Sequence, residues 1–245
     1  MENKEMTFWD HLEELRGVLF RSVLVLFVLF MVLFFFKSFI FDTVVLGPSR
    51  DDFWLMRLLG VKLGLNLINI EVTAQFFIHM KVTFIAAFIV AFPYIVYQLW
   101  KFIAPALYDN EIRTIKRAFG LGAGLFYAGV AMGYFVVMPL VLIFFNGYQV
   151  SEAVVNTFSL NSYISIFSGM VFMMGLLFEF PTVLAVLSQF GLIDRAFLRK
   201  YRRHAVVVIL ILAAVLTPTG DPFTMTVVAL PLYALYEGSI FICKE

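Results

Sequence analysis

The sequence predicts an all-α integral membrane protein, one polytopic domain over 1–245. Three observations lead there. The chain is 62% hydrophobic and only 14% charged, with mean hydropathy +0.94, whereas a soluble domain carries about 25% charged residues. Apolar runs recur near the length of about 20 residues that a helix needs to cross a bilayer. Lysine and arginine are distributed unequally between alternate loops, as the positive-inside rule requires.

Six spans follow from the apolar runs. The first, about 19–36, is "LFRSVLVLFVLFMVLFFF", with Arg21 and Lys37 near its ends, where long cations snorkel to the interface. The second, about 78–100, holds an uncharged run from Val82 to Trp100. The third, about 118–138, follows Lys116 and Arg117 and is expected to stop at Pro139. The fourth, about 162–189, contains Glu179, and the sixth, about 222–242, contains Glu237. The fifth, about 204–216, is short: 13 residues rise about 20 Å against a hydrocarbon core of about 30 Å. It is either a buried helix that does not span or one beside which the bilayer thins. "TPTGDPF" favours a hairpin of two spans, since Pro218, Gly220 and Pro222 break helix and Asp221 can cap the next one.

Thirteen cations fall on the side of the termini and five in the first outer loop, which puts both termini in the cytoplasm. That outer loop, about 37–77, contains "SRDDFWLMRLLGVKL", read as a short interfacial helix with Asp51 and Asp52 in an acidic first turn. The net charge of +1 argues against nucleic acid as a partner. A single Cys243 excludes an internal disulfide, and His11, His79 and His204 show no metal-ligand spacing. No cofactor, metal or catalytic residue is expected: there is no nucleophile with a plausible base and no phosphate-binding glycine loop. "GLGAG" at 120–124 lies within a span and reads as small residues for close helix packing.

Glu179 is the polar residue that asks most for an explanation. A carboxylate at a span's centre costs about 2.5–3.5 kcal/mol on insertion scales, so protonation, a polar partner or a wet cavity must reduce the cost. Pro181 removes a backbone N–H and frees carbonyls one turn earlier, near Leu177, so a kink there can open a concave surface. The residue either marks a functional groove or bonds a neighbouring helix to hold the bundle. Gln98, in "YIVYQLW", can bond helices together or meet Glu179. Glu237 reads as a residue that snorkels towards the interface. On the cytoplasmic side "HLEELR" offers Glu13, Glu14 and Arg16, and "YDNEIR" offers Asp109, Glu111 and Arg113. Two acids on one face can hold two guanidinium groups, and charge alone leaves ordinary loop charges as the alternative.

Five stretches in order carry a resemblance that covers nearly the whole chain: "HLEELR" at 11–16, "YQLWKFIAPALYDNE" at 97–111, "FYAGVAMGYFVVMPL" at 126–140, "FEFP" at 178–181 and "LTPTGDPF" at 216–223. Together they resemble the TatC family, the large polytopic subunit of the twin-arginine protein translocase. The resemblance implies six spans, N-in and C-in, the last two short, with a concave groove open to the bilayer. It implies a non-enzymatic receptor in a bacterial or archaeal cytoplasmic membrane that binds paired-arginine signal peptides of folded cargo and draws on the proton motive force. Glu14 and Glu111 would contact the arginines, with Arg16, Phe102 and Arg113 lining or supporting the patch. Glu179, with Gln98 and Pro181, would mark the groove. Thr217, Asp221 and Met225 would lie where single-span subunits of the TatA/TatB type assemble, within a larger self-associating complex. The chain departs from many relatives at Ile112, where they have a basic residue, and at Met225, where some have Gln. The rival readings are a proton-coupled transporter with Glu179 as relay, and an intramembrane hydrolase built on Ser168 and His204.

Overall fold

The computed structural model describes residues 8–104, 109–151, 156–217 and 221–243. Ten helices dominate these residues: α1 (Phe8–Phe34), α2 (Trp54–Leu59), α3 (Ala74–Ile103), α4 (Asp109–Met132), α5 (Met138–Gly147), α6 (Leu160–Phe178), α7 (Phe180–Gln189), α8 (Arg195–Lys200), α9 (Arg202–Leu216) and α10 (Pro222–Ile242). Two strands of two residues, β1 (Leu67–Ile68) and β2 (Phe158–Ser159), pair in parallel between the loops. Five stretches among the described residues are long and apolar enough to cross a membrane: His11–Phe34, Ala74–Ile103, Ala118–Gly147, Leu160–Gln189 and Pro222–Ile242. The remaining expected span, the fifth, corresponds to α9, whose 15 residues rise only about 22 Å.

Two apolar clusters hold the bundle. One joins α6 and α7 to α8, α9 and α10 through Met174, Phe178, Ile209, Ala213, Leu232 and Ile240. The other packs the first long loop on α3, α5 and the start of α6 through Val45, Met56, Ile78, Met138, Ile164 and Val171. Lipid tails are as apolar as these side chains, so close approach of backbones is what favours association. Gly129 and Gly133 on α4 and just past its end supply it: a Cβ at either would stand 2.4 Å from the Met174 carbonyl or 2.8 Å from that of Met170. On α6, a Cβ at Gly175 would meet Val130 at 2.8 Å. Helix α1 packs along α3 and leaves most of its apolar surface uncovered.

The prolines explain the irregularities. Pro93 lies inside α3 and cannot donate to the Ile89 carbonyl one turn back. The Tyr127 hydroxyl donates to that carbonyl instead, at 3.0 Å. Pro139 likewise strands the Phe135 carbonyl, which accepts the Trp54 indole N–H at 3.1 Å. This corrects the expected end of the third span. The helix continues from Ala118 through a π-helical stretch, Gly133–Val137, and past Pro139 to Gly147. The substitute donor comes from a residue 81 positions earlier.

The first long loop forms a layer tied down by side chains. Tyr163 and Tyr134 donate to the carbonyls of Val45 and Val44 at 2.6 and 2.9 Å. Asn146 donates to the Leu63 carbonyl, and Asn156 donates to the carbonyls of Phe145, Asn146 and Tyr148 at the end of α5. The short helix expected at "SRDDFWLMRLLGVKL" is α2, but its first turn carries no acid. Asp51 instead accepts from the N–H groups of Leu63 and Gly64, closing the loop on itself.

Candidate functional site

The start of α1 and the end of α3 meet at one end of the bundle. The rings of His11 and Phe102 stack with centroids 4.3 Å apart. Glu14 is three residues past His11, hence on the same face of α1. Its carboxylate is half-buried, and Oε2 is fully buried with no hydrogen-bond partner among the described residues. Arg16 is exposed. The Trp100 and Phe119 rings, 5.7 Å apart, bring the end of α3 against α4. The backbone of Glu111 and Arg113 lies in the first two turns of α4, close to this junction in sequence; their side chains lie outside the described residues. A buried acceptor without a donor costs about 1–3 kcal/mol, more when charged, and no described residue removes that cost at Glu14. A guanidinium is the side-chain group best shaped to remove it.

The second feature is a groove between the latter part of α3, α4 and α7. Its volume is about 360 Å³, and its walls include Phe92, Ile95, Leu99, Phe119 and Val183. Leu99 and Val183 stand exposed on its rim. Glu179 and Thr182 are the polar groups that line it. Glu179 is the one residue between α6 and α7, with φ −74° and ψ −10°, and Pro181 follows in the first turn of α7. The missing proline N–H therefore breaks the helix at the carboxylate. Glu179 Oε1 and Thr182 Oγ1 are buried without a hydrogen bond of good geometry among the described residues, although the Thr182 hydroxyl lies beside the carboxylate. Room for the carboxylate comes from Gly122, where a Cβ would lie 2.7 Å from Glu179 Oε2. Of "GLGAG", Gly122 alone makes a close contact; Gly120 and Gly124 face open space.

Gln98 is buried and donates from Nε2 to the Tyr94 hydroxyl at 2.6 Å, one turn back on its own helix. Its Oε1 is left without a partner among the described residues, and Gln98 does not line the groove, against the expectation that it would help mark it. The turn between α9 and α10 includes residues 218–220, outside those described. Asp221 caps α10, accepting from the Thr224 N–H at 2.8 Å. Thr217 is buried and Met225 is half-buried against the core. Glu237 pairs with Arg202 at 2.7 Å and accepts from the Tyr233 hydroxyl, so it ties α9 to α10.

The rival chemistries find no support in these positions. Glu179 is the sole ionisable residue among those described that line its groove, so a proton relay lacks a next station. Ser168 and His204 line two different cavities. No three His, Cys, Asp or Glu among the described residues cluster as metal ligands. Close packing at Gly122 was read from "GLGAG", but the contributions of Gly129 and Gly133 were not read from the sequence, although they sit four residues apart, the small-xxx-small signal of close helix pairs.

An all-helical, polytopic membrane protein is thereby defined, with a carboxylate recess at one end of the bundle and a groove holding one lone acid. Comparison with known proteins gives the particular family. Residues 10–231 match the family model described as Sec-independent protein translocase protein (TatC). The Sec-independent protein translocase protein TatC of Blattabacterium sp. subsp. Periplaneta americana is 38% identical, over 98% of this chain and 96% of its own length. That of Campylobacter jejuni is 37% identical, over 96% and 92%. A crystal structure of the twin-arginine translocase receptor TatC in DDM superposes with TM-score 0.80 at 32% identity, covering 96% of this chain and 100% of that one. The chain belongs to the TatC family.

Proposed function

We propose that this chain is the core subunit of a twin-arginine translocase and the receptor for the signal peptides of its cargo. Membership of the TatC family supports the translocase role, and Glu14, whose Oε2 is buried without a partner among the described residues beside the His11–Phe102 stack, carries the receptor reading. Glu14 and Glu111 hold two guanidinium groups of the peptide by charge-assisted, bidentate hydrogen bonds. Phe102 forms the floor between α1 and α4, and Arg16 and Arg113 set the surrounding charge. The apolar stretch that follows the arginines lies in the groove of Glu179, whose walls apart from Thr182 are apolar. Thr182 and the break at Pro181 keep that groove polar at one point and open, while Gln98 lies outside it. Six spans with both termini cytoplasmic place the recess where a peptide arrives, and the short α9 spans a locally thinned bilayer. Single-span subunits of the TatA/TatB type dock near Thr217, Asp221 and Met225. The protein is a transport component of a multi-pass membrane complex and holds no chemistry of its own.

The test is binding of a labelled signal peptide to the detergent-solubilised protein. An Arg-Arg peptide and a Lys-Lys control are each measured against wild type and Glu111→Ala. The expected result is a preference for Arg-Arg of about tenfold that disappears in the variant, since a planar guanidinium fork, unlike an ammonium, matches a carboxylate bidentately. Equal affinity for both peptides in wild type, or an unchanged preference in a well-folded variant, would overturn the reading.

A further inference from the structure

Helix α3 packs on both helices that carry the recess carboxylates, and aromatic rings fix its end to each of them. On one side the His11 ring of α1 stacks on Phe102, with centroids 4.3 Å and planes 21° apart. On the other, the Trp100 ring lies 5.7 Å from Phe119 of α4. Residues two apart on a helix point about 200° apart, so Phe102 and Trp100 face opposite ways. The end of α3 therefore stands between α1, which carries Glu14, and α4, which carries Glu111.

The hold on α1 is narrow. It packs along α3 and leaves most of its apolar surface uncovered. Two ring stacks close this seam, His11 on Phe102 at one end and Phe34 on His79, 4.1 Å apart, at the other. Each helix runs 23 residues between its two rings, about 35 Å, so the stacks hold the antiparallel pair in register. Without the His11 ring, α1 keeps its far stack, but the end that carries Glu14 loses its fixed distance from α3. The spacing matters to a peptide. An extended chain sends successive side chains to opposite sides. Adjacent arginines laid across the end of α3 therefore reach one towards α1 and one towards α4. Arginines separated by one residue point to the same side, and only one of the two helices is met.

We propose that His11 and Trp100 are positioning residues that set the recess to the spacing of two adjacent arginines. They act through Glu14 and Glu111, by holding each carboxylate-bearing helix at its distance from α3. The inference rests on the receptor reading above and adds to it what selects an adjacent pair over spaced arginines.

The test measures three labelled peptides, Arg-Arg, Arg-Ala-Arg and Lys-Lys, otherwise identical, on the detergent-solubilised full chain. Wild type is compared with His11→Ala, His11→Phe and Trp100→Leu, and thermal unfolding follows the fold of each. Wild type should bind Arg-Arg about tenfold more tightly than Arg-Ala-Arg, the weight of one charge-assisted bidentate pair. His11→Ala should lose this difference, Arg-Arg falling to the level of Arg-Ala-Arg while the latter binds as before. His11→Phe keeps a ring to stack on Phe102 and should keep the difference. Trp100→Leu should lose it from the α4 side, and it decides the matter if His11→Ala does not fold. A wild type that binds Arg-Arg and Arg-Ala-Arg alike, or a His11→Ala that still tells them apart, overturns the inference. The receptor reading survives either result as long as Arg-Arg is preferred to Lys-Lys. An equal loss for all three peptides in His11→Ala also overturns it, because the ring would then hold the helix and not the spacing. So does a His11→Phe that behaves like His11→Ala, which would assign the effect to the imidazole instead of the stack. Equal binding of Arg-Arg and Lys-Lys to wild type overturns the receptor reading and the inference with it.

Discussion

The loop layer and the recess treat polar groups in opposite ways. In the loop layer, tyrosine, asparagine and aspartate side chains reach backbone groups that have no helical partner, as Tyr163 does for Val45 and Asn156 for the end of α5. In and between the recess and the groove, Glu14, Gln98, Glu179 and Thr182 each hold a buried oxygen without a donor; they are four of the seven such side chains among the described residues. Buried polar atoms in folded proteins are nearly always paired. A region whose backbone groups are met by side chains is built to stay as it is. A region that leaves acceptors open bears a cost in the free protein that a donor-bearing ligand removes.

Substitutions can break this contrast from either side. The largest effect on stability is expected at Gly129→Ala. A Cβ there meets the Met174 carbonyl and the Phe178 ring, and backbone cannot rotate away. A loss of about 3 kcal/mol or more is expected, seen as a lower unfolding temperature and a lower yield of folded protein. Tyr163→Phe comes next. It leaves the Val45 carbonyl unpaired in a fully buried place, which costs about 1–3 kcal/mol, with signal-peptide affinity unchanged. Tyr127→Phe is smaller, about 0.5–1.5 kcal/mol, because the ring is partly exposed and only the carbonyl stranded by Pro93 loses its donor. Thermal unfolding of the three variants orders them. An equal loss in all three would mean that these bonds are not what distinguishes the loop layer.

How much of the fold and of the recess is legible in the sequence depends on the range of the interaction. The apolar runs announce their helices because the bilayer imposes composition locally, and the start of α10 at Pro222 is legible because Asp221 caps it from the adjacent position. The break at Glu179 is equally local, since Pro181 acts within one turn. Pro139 misleads for the opposite reason. A proline ends a helix unless another donor reaches the stranded carbonyl, and here that is Trp54, from a loop that no local pattern links to it. Asp51 misleads in the same way, its partners lying 12 and 13 residues on. The recess is legible only as candidate charges. Glu14 and Phe102 become one site through the His11 stack, which joins two helices across the whole first loop.

The smallest expected change in stability is at the two open carboxylates, and there the contrast is tested most sharply. Glu179→Gln keeps the size of the side chain and most of its hydrogen-bonding capacity while removing any charge. Because Oε1 has no well-formed partner among the described residues and Gln keeps an acceptor for the neighbouring Thr182 hydroxyl, stability should change by less than about 0.5 kcal/mol or rise. Collapse of the fold would assign Glu179 to holding the bundle, and no groove function would remain to argue for. Glu14→Gln should be equally silent in unfolding, for the same reason. In peptide binding the two should part. In Glu14→Gln the side-chain amide offers one acceptor oxygen and no charge to a guanidinium that the carboxylate meets with two oxygens. Affinity for an Arg-Arg peptide should therefore fall about tenfold or more. Glu179→Gln leaves the arginine end of the peptide untouched and should cost less. If both variants bind like wild type, the unpaired oxygens are tolerated defects of packing rather than sites held open for a ligand. If Glu14→Gln loses binding and stability together, the recess belongs with the loop layer as structure.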